Sequence, residues 1–360
     1  MAHEGKIIDL FCGGGGFSLG AHFAGFETAL AVDVDSNLTS SFNENFPGVK
    51  VLRTDLSKTS GNSLLKDVGL KATEITGIVG GPPCQGFSLM GRRDQTDPRN
   101  ALVGHFFRLV QEIEPSFFLM ENVPGILLGK SKQGLNDLID GLRGYEVLGP
   151  IHVNASDFGA ATNRERVIVV GFRDGCIEQK DIDKQKVKKV SSVRTAIFDL
   201  PEPSCNGWGA YRELPRISSY ASRARKLHSD LGAALFRSEL RAGRVSGLQS
   251  TKHTPEVRRR FSSVLPGTSD SVSKCPRLRW DALAPTLRAG TGPDRGSFQS
   301  IRPIHPEQDR VITVREAARL QGFPDWFRFH ETKWHSFRMI GNSVSPLMSE
   351  ALLTAVAAYI

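Results

Sequence analysis

The chain of 360 residues has only five cysteines (Cys12, Cys84, Cys176, Cys205 and Cys275), widely spaced and without a Cys-x-x-Cys pair. An odd, scattered set argues against a disulfide framework and a zinc site, and for a reducing compartment. No apolar run approaches the roughly 20 residues that span a bilayer. Met1 to Lys6 run directly into a strand-like stretch, leaving no room for a secretory leader. No internal repeat is visible. These absences lead us to expect a soluble, cytoplasmic protein with no membrane partner and no metal.

What is present is unevenly distributed. The formal charge is +8, but Ser204 to Trp280 holds 15 Lys and Arg against 5 Asp and Glu, so the rest of the chain is slightly acidic. A basic excess confined to one segment points to a polyanionic partner there. The blander reading is a solvated face.

The first half alternates short β-rich runs with amphipathic stretches. The runs are Ile7–Leu10, Ala29–Val32, Val49–Leu52, Ile75–Val79, Phe117–Met120 and Val167–Gly171. Between Asn100 and Ile113, Leu102, Phe106, Leu109, Val110 and Ile113 recur at helical spacing. Strands apolar along their whole length and separated by such helices predict a parallel α/β sheet, Rossmann-like, covered on both faces. Beyond about Arg173 the pattern breaks down. The charged run Glu178 to Lys186 reads as a linker or exposed excursion, and the Arg-, Ser- and Pro-rich stretch after it as a smaller, irregular, mostly β region. Order returns with helical patterns at Arg315–Leu320 and Pro346–Tyr359. The expected division is residues 1–178, 179–310 and 311–360, the last segment returning to the first.

Three strand ends carry chemistry. After Ile75–Val79 comes Gly80-Gly81-Pro82-Pro83-Cys84-Gln85-Gly86-Phe87-Ser88, a cysteine in a turn stiffened by two prolines. A nucleophile needs such a fixed setting, whereas a packing cysteine does not; the alternative is a Pro-rich turn whose Cys is merely small and buried. After the first strand comes Phe11-Cys12-Gly13-Gly14-Gly15-Gly16, a turn whose backbone N–H groups can approach a cofactor closely. Ser18 occupies the third glycine position of a dinucleotide fingerprint, which weakens a nicotinamide dehydrogenase. Asp33, 18 residues after Gly15, and Asp55 end the next two strands, where the ribose of an adenosine-bearing ligand would lie. Glu121 directly follows the strand Phe117–Met120, and burial there would raise its pKa. The alternative for Glu121 is a loop acid paired with an arginine.

These motifs resemble the DNA cytosine-5 methyltransferases nearly end to end. The glycine turn Asp9–Gly16 resembles that family's S-adenosylmethionine loop, Pro83-Cys84-Gln85 its catalytic turn, and Glu121-Asn122-Val123 its acid motif. Arg164-Glu165-Arg166 matches its Arg-x-Arg strand, and Thr313–Pro324 and Gly341–Val344 its two late motifs. One position departs: the family's Gln, two residues before the first Arg, is Thr162 here.

The resemblance implies that Cys84 adds as a thiolate to carbon 6 of cytosine, making carbon 5 nucleophilic. Glu121 would assist at ring nitrogen 3, and Arg166, with Arg164 second, would favour the thiolate. It implies cofactor contacts by Phe11, Gly13, Gly15, Asp33, Asp55, Leu102, Asn342 and Val344, with S-adenosylhomocysteine as product. The target base must leave the stack, and Gln85 and Ser88 are placed to occupy or support the vacated space. The basic segment would hold double-stranded DNA, with Arg223, Arg225, Arg258, Arg259 and Arg260 its densest cations. A monomeric, nucleoid-associated modification enzyme follows, acting alone or beside a separate restriction endonuclease. RNA methylation and a binding-only relative are the other readings; the latter would lack Cys84 or Glu121.

Overall fold

A computed structural model describes residues 5–83, 101–289 and 302–360. Seven strands form its main sheet: β1 (Gly5–Leu10), β2 (Phe26–Val32), β3 (Lys50–Leu52), β4 (Ile75–Gly80), β5 (Phe117–Asn122), β6 (Glu146–Asn154) and β8 (Glu165–Phe172). Their order is β3-β2-β1-β4-β5-β8-β6. The first five pair in parallel, but β8 runs antiparallel to both β5 and β6. That corrects the expectation of a wholly parallel sheet. The connection from β6 to β8 is too short for a crossover helix, so the strands return antiparallel. β6 itself was not visible in the sequence: it is an edge strand, mostly half-exposed, with Gly149-Pro150 at its register shift.

Helices cover both faces. On one, α1 (Gly16–Phe23) lies along α13 (Pro346–Ala357). Phe17, Leu352, Leu353 and Val356 pack there with Ile7, Phe117 and Ile168 of the sheet. The close approach needs Gly20, where a Cβ would fall 1.7 Å from Ser349 Oγ. On the other face lie α3 (Gly61–Val68), α4 (Ala101–Ile113) and α5 (Gly129–Asp140). Phe106, Phe107 and Val110 of α4 cover Ile78 and Phe118. Fully buried rings such as Phe106 and Phe118 contribute roughly 1.5–3 kcal/mol each. The short α2 (Phe42–Asn45) precedes β3.

The second region is irregular, as expected, but among the described residues it is not mostly β. It holds α6 (Gln179–Asp183), α7 (Val193–Ile197), α8 (Ser219–Arg225), α9 (Ala234–Arg241) and α10 (Pro255–Ser262). Its strands are a short antiparallel pair, β9 (Trp208–Ala210) and β10 (Arg244–Ser246), and β11 (Ala284–Pro285), which pairs with β7 (Thr162–Asn163). Several of these helices are too short to show periodicity, yet Ser192, Ser218 and Thr254 cap α7, α8 and α10 by accepting a backbone N–H. The charged run expected as a linker contains α6, whose Ile182 is buried.

The remaining helices are α11 (Val314–Gln321), opened by the Thr313/Glu316 capping box, and α12 (Lys333–Asn342). Val193, Leu200, Val245, Leu320, Trp326 and Phe327 share one core with Phe42 and Phe46. Beside it, Arg319 is fully buried and bonds to Asp325 at 2.6 Å and Asp199 at 3.2 Å. Such a buried cation is tolerated only because both carboxylates meet it.

Candidate active site

The site forms where β1, β2, β4 and β5 end together, the position at which open α/β sheets bind ligands. At the end of β4, the Asn122 amide donates to the Pro82 carbonyl at 3.0 Å and so ties the turn to β5. Cys84, Gln85 and Ser88 lie outside the described residues.

Glu121 projects from β5 beside Arg166 of the antiparallel neighbour β8. The Arg166 Nε lies 2.6 Å from Glu121 Oε1, and each side chain is only 9% exposed. A Cβ on Gly81 would lie 3.2 Å from Glu121 Oε2 and 4.0 Å from Val344 Cγ2, so the carboxylate, the turn and the late motif converge on one point. Arg164 meets backbone carbonyls. Its buried guanidinium donates to the carbonyls of Gly341 (3.0 Å), Ser343 (2.8 Å) and Leu287 (3.5 Å). Burial pulls its pKa down, and these carbonyls compensate the charge.

The glycine turn is built on left-handed backbone: φ is 58° at Phe11, 51° at Gly13 and 87° at Gly15. At Gly16 a Cβ would lie 2.2 Å from the Val344 carbonyl, so the late motif closes one wall of the turn. Under it, buried Asp9 accepts from Ser18 N–H (3.1 Å) and Oγ–H (2.6 Å). Burial pushes Asp9 up to about 7, and its other oxygen has no hydrogen-bond partner among the described residues. Asp33 accepts from Gly13 N–H and Asp35 N–H, both at 2.9 Å, and burial raises its pKa.

The residues present fit an adenosine-bearing cofactor. Among the described residues nothing lies within 4 Å of a Cβ built on Gly13, so the turn has an open front there, while Asp33 and the exposed Val34 set an acid beside an apolar side chain. Val344 is buried and Leu102 half-buried, whereas Asn342 is exposed at the end of α12. Asp55 accepts from Ser57 N–H at 2.9 Å, and its loop is held to α4 by Arg108, which donates to the Leu56 and Thr59 carbonyls. Two contributors escaped the sequence reading. Ser18 shows in the sequence only as a missing glycine, and Arg338, which pairs with Asp35 at 2.6 Å, comes from a distant helix without a local signal.

The five basic candidates fall into two groups. Arg225 pairs with Asp199 at 2.6 Å and lies 3.6 Å over the Tyr211 ring; Arg260 pairs with Asp270 at 2.7 Å. Arg223 pairs with Glu350. Arg258 and Arg259 are exposed, the latter 3.6 Å from an equally exposed Glu256. Arg225 and Arg260 are thus held by carboxylates 26 and 10 residues away, partners that local sequence does not show.

The sheet and its strand-end site define a protein of the Rossmann-like methyltransferase fold. Residues 5–358 match the family model of the C-5 cytosine-specific DNA methylases, and the chain belongs to that family. It is 40% identical over 354 residues to the Type II methyltransferase M.XorII of Xanthomonas oryzae pv. oryzae, covering 96% of this chain and 82% of that one. Type II methyltransferase M.DdeI of Desulfomicrobium norvegicum is 34% identical over 378 residues, with 98% and 89% covered. Among solved structures, a chain assigned as a prophage-encoded DNA modification methyltransferase of E. coli superposes with a TM-score of 0.85 at 38% identity, covering 98% of both chains. The S. pombe Dnmt2 methyltransferase shares the fold, with a TM-score of 0.63 at 16% identity over 98% of this chain and 97% of its own. The protein is a DNA cytosine-5 methyltransferase, and the family uses S-adenosylmethionine. Among the described residues no helix is long and apolar enough to cross a membrane.

Proposed function

We propose that Cys84 is the nucleophile and Glu121 the assisting acid in methylation of a cytosine flipped out of duplex DNA within a specific sequence. The observation that supports this best is the buried Glu121–Arg166 pair, held against the turn that leads to Cys84. Sulfur of Cys84 bonds to carbon 6, and the electron pair displaced from the ring double bond makes carbon 5 nucleophilic. Glu121 hydrogen-bonds ring nitrogen 3, and Arg166 keeps that carboxyl group in one orientation while offsetting the negative charge that develops. S-adenosylmethionine, when bound, supplies an electrophilic methyl group. Phe11, Gly13, Gly15, Asp33, Asp55, Leu102, Asn342 and Val344 would hold it against the target ring. Once carbon 5 carries the methyl group, a base removes its proton, and the carbon 6–sulfur bond breaks to return Cys84.

Arg164 is a positioning residue in this scheme, seating the Gly341–Val344 segment against the glycine turn. Residues 179–310 form the target-recognition region, and Gln85 and Ser88 support the space the flipped base leaves. Arg258 and Arg259, with Arg223, meet phosphates. The enzyme works as a monomer on nucleoid DNA in the cytoplasm, and any cognate endonuclease acts separately.

The test is trapping. DNA containing 5-fluorocytosine in the recognition sequence, given S-adenosylmethionine, should form a covalent adduct with the wild-type chain, because fluorine cannot leave as a proton does. The Cys84→Ala variant should form no adduct and transfer no methyl group, while still binding S-adenosylhomocysteine. Methyl transfer by that variant would overturn the scheme. Methylation mapping of DNA from expressing cells gives the recognition sequence, and methylated tRNA without methylated DNA would favour an RNA substrate.

A further inference from the structure

Thr162 opens the stretch that carries Arg164 and Arg166, and its surroundings show what its side chain does. It is fully buried, and its hydroxyl lies 3.2 Å from the carbonyl oxygens of both Ala284 and Pro285. These residues are β11, the strand that returns from the second region and pairs in parallel with β7. The Ala284 N–H donates to the Ala161 carbonyl at 2.9 Å, and the Thr286 hydroxyl donates to the Asn163 carbonyl at 2.6 Å. Two residues along, Arg164 takes up the same segment through Leu287 and adds the carbonyls of Gly341 and Ser343. Gly341 is pressed on the segment so closely that a Cβ there would fall 2.5 Å from Ala289 N.

Along this extended stretch Thr162, Arg164 and Arg166 are buried, while Asn163 and Glu165 between them are exposed. Alternation puts the three buried side chains on one face. The first two grip β11 and its continuation; the third grips Glu121. One row of side chains thus joins the segment emerging from the second region to the catalytic carboxylate.

We infer that Thr162 is a positioning residue for methyl transfer, its hydroxyl fixing β11 at the distance that seats the second region's DNA contacts over Glu121 and Arg166; this rests on the proposed function above. The single proton is shared between two carbonyls, so removing it deprives both of this donor, with the Ala284 contact buried and the Pro285 contact partly so. A side chain longer than Thr at this fully buried position would have to displace its neighbours.

The experiment compares Thr162→Val, which keeps the shape without the hydroxyl, with Thr162→Ser, which keeps the hydroxyl. Radiolabelled methyl transfer to unmethylated duplex DNA supplies kcat and the KM for DNA. Calorimetry supplies the affinity for S-adenosylhomocysteine, and a melting curve the stability. Thr162→Val should lower kcat/KM for DNA about tenfold, with cofactor affinity unchanged and the melting temperature lowered by no more than about a few degrees. Thr162→Ser should stay within about threefold of wild type. Wild-type kinetics in Thr162→Val would overturn the inference, as would a matching fall in cofactor affinity and melting temperature, which would mark a merely structural role. Cys84→Ala is assayed alongside: if it transfers methyl groups, the proposed function has failed, whereas a dead Cys84→Ala beside a fully active Thr162→Val sinks this inference alone.

Discussion

Arg166 holds Glu121 through a 2.6 Å contact between two side chains that are each about nine-tenths buried. The two residues lie 45 apart in sequence and meet because β8 runs antiparallel beside β5, with Glu121 opposite Ile168. The pair gives the proposed site a fixed carboxyl group beside Gly81, in the segment that leads to Cys84, the proposed nucleophile.

Removing the acidic function while keeping the shape separates chemistry from packing. Glu121→Gln should lower kcat about 100-fold or more, the scale expected for loss of a positioned acid, with S-adenosylhomocysteine affinity within a few-fold of wild type. Arg166→Ala should be worse, because it leaves a buried carboxylate unpaired and also lowers stability, by about 3–5 kcal/mol. Single-turnover methyl transfer with denaturant melts checks both; an active Glu121→Gln variant would remove Glu121 from the mechanism.

Asp9 links pH to stability. Its carboxyl group is raised from 3.8 to about 7 in the folded chain, chiefly by burial. Between these values the folded state holds a proton that the unfolded state has released. Its stabilising contribution is therefore complete below about pH 4 and is lost as pH rises through about 7. Asp9→Asn keeps an acceptor for Ser18 and does not titrate. Its stability relative to wild type should climb from pH 4 to pH 7 by at most on the order of 4 kcal/mol, then level off. Urea melts across that range measure it, and a flat difference would show that Asp9 titrates normally.

The basic residues should divide by salt dependence. Arg258 is exposed, and Arg258→Ala should weaken DNA binding about equally on all sequences and reduce the slope of log affinity against log salt by about 1. Arg225 is committed to Asp199 and Tyr211, so Arg225→Ala should leave the slope unchanged and cost about 1–3 kcal/mol of stability. Titrations at several salt concentrations and thermal melts decide between them. A reduced slope in Arg225→Ala would return that residue to the DNA surface.

Much of the sheet was legible because its strands are short apolar runs with glycine or acid at their ends. Thus the ends of β1 and β2 already named Gly13 and Asp33 as candidates for a cofactor, and the end of β5 named Glu121 as the candidate acid. β6 was not legible: half-exposed edge residues around Gly149-Pro150 carry neither periodicity nor a continuous apolar run. The short helices α7, α8 and α10 were signalled only by their caps, at Ser192, Ser218 and Thr254. Arg164 and Arg166 look equivalent in sequence, yet one meets backbone carbonyls and the other a carboxylate.

Local chemistry is what the sequence by itself determined: which strand ends carry a glycine turn, an acid and a Pro-Pro-Cys turn, in an order that identifies the family. Those signals survive because each depends on residues a few positions apart. Partnership was decided by tertiary structure alone. Arg166 with Glu121, Arg338 with Asp35, Arg225 with Asp199 and Thr162 with β11 all join residues far apart in sequence that only the folded chain brings together. A charge or hydroxyl has the same identity in either setting; its function depends on which group stands within about 3 Å of it once water has been excluded.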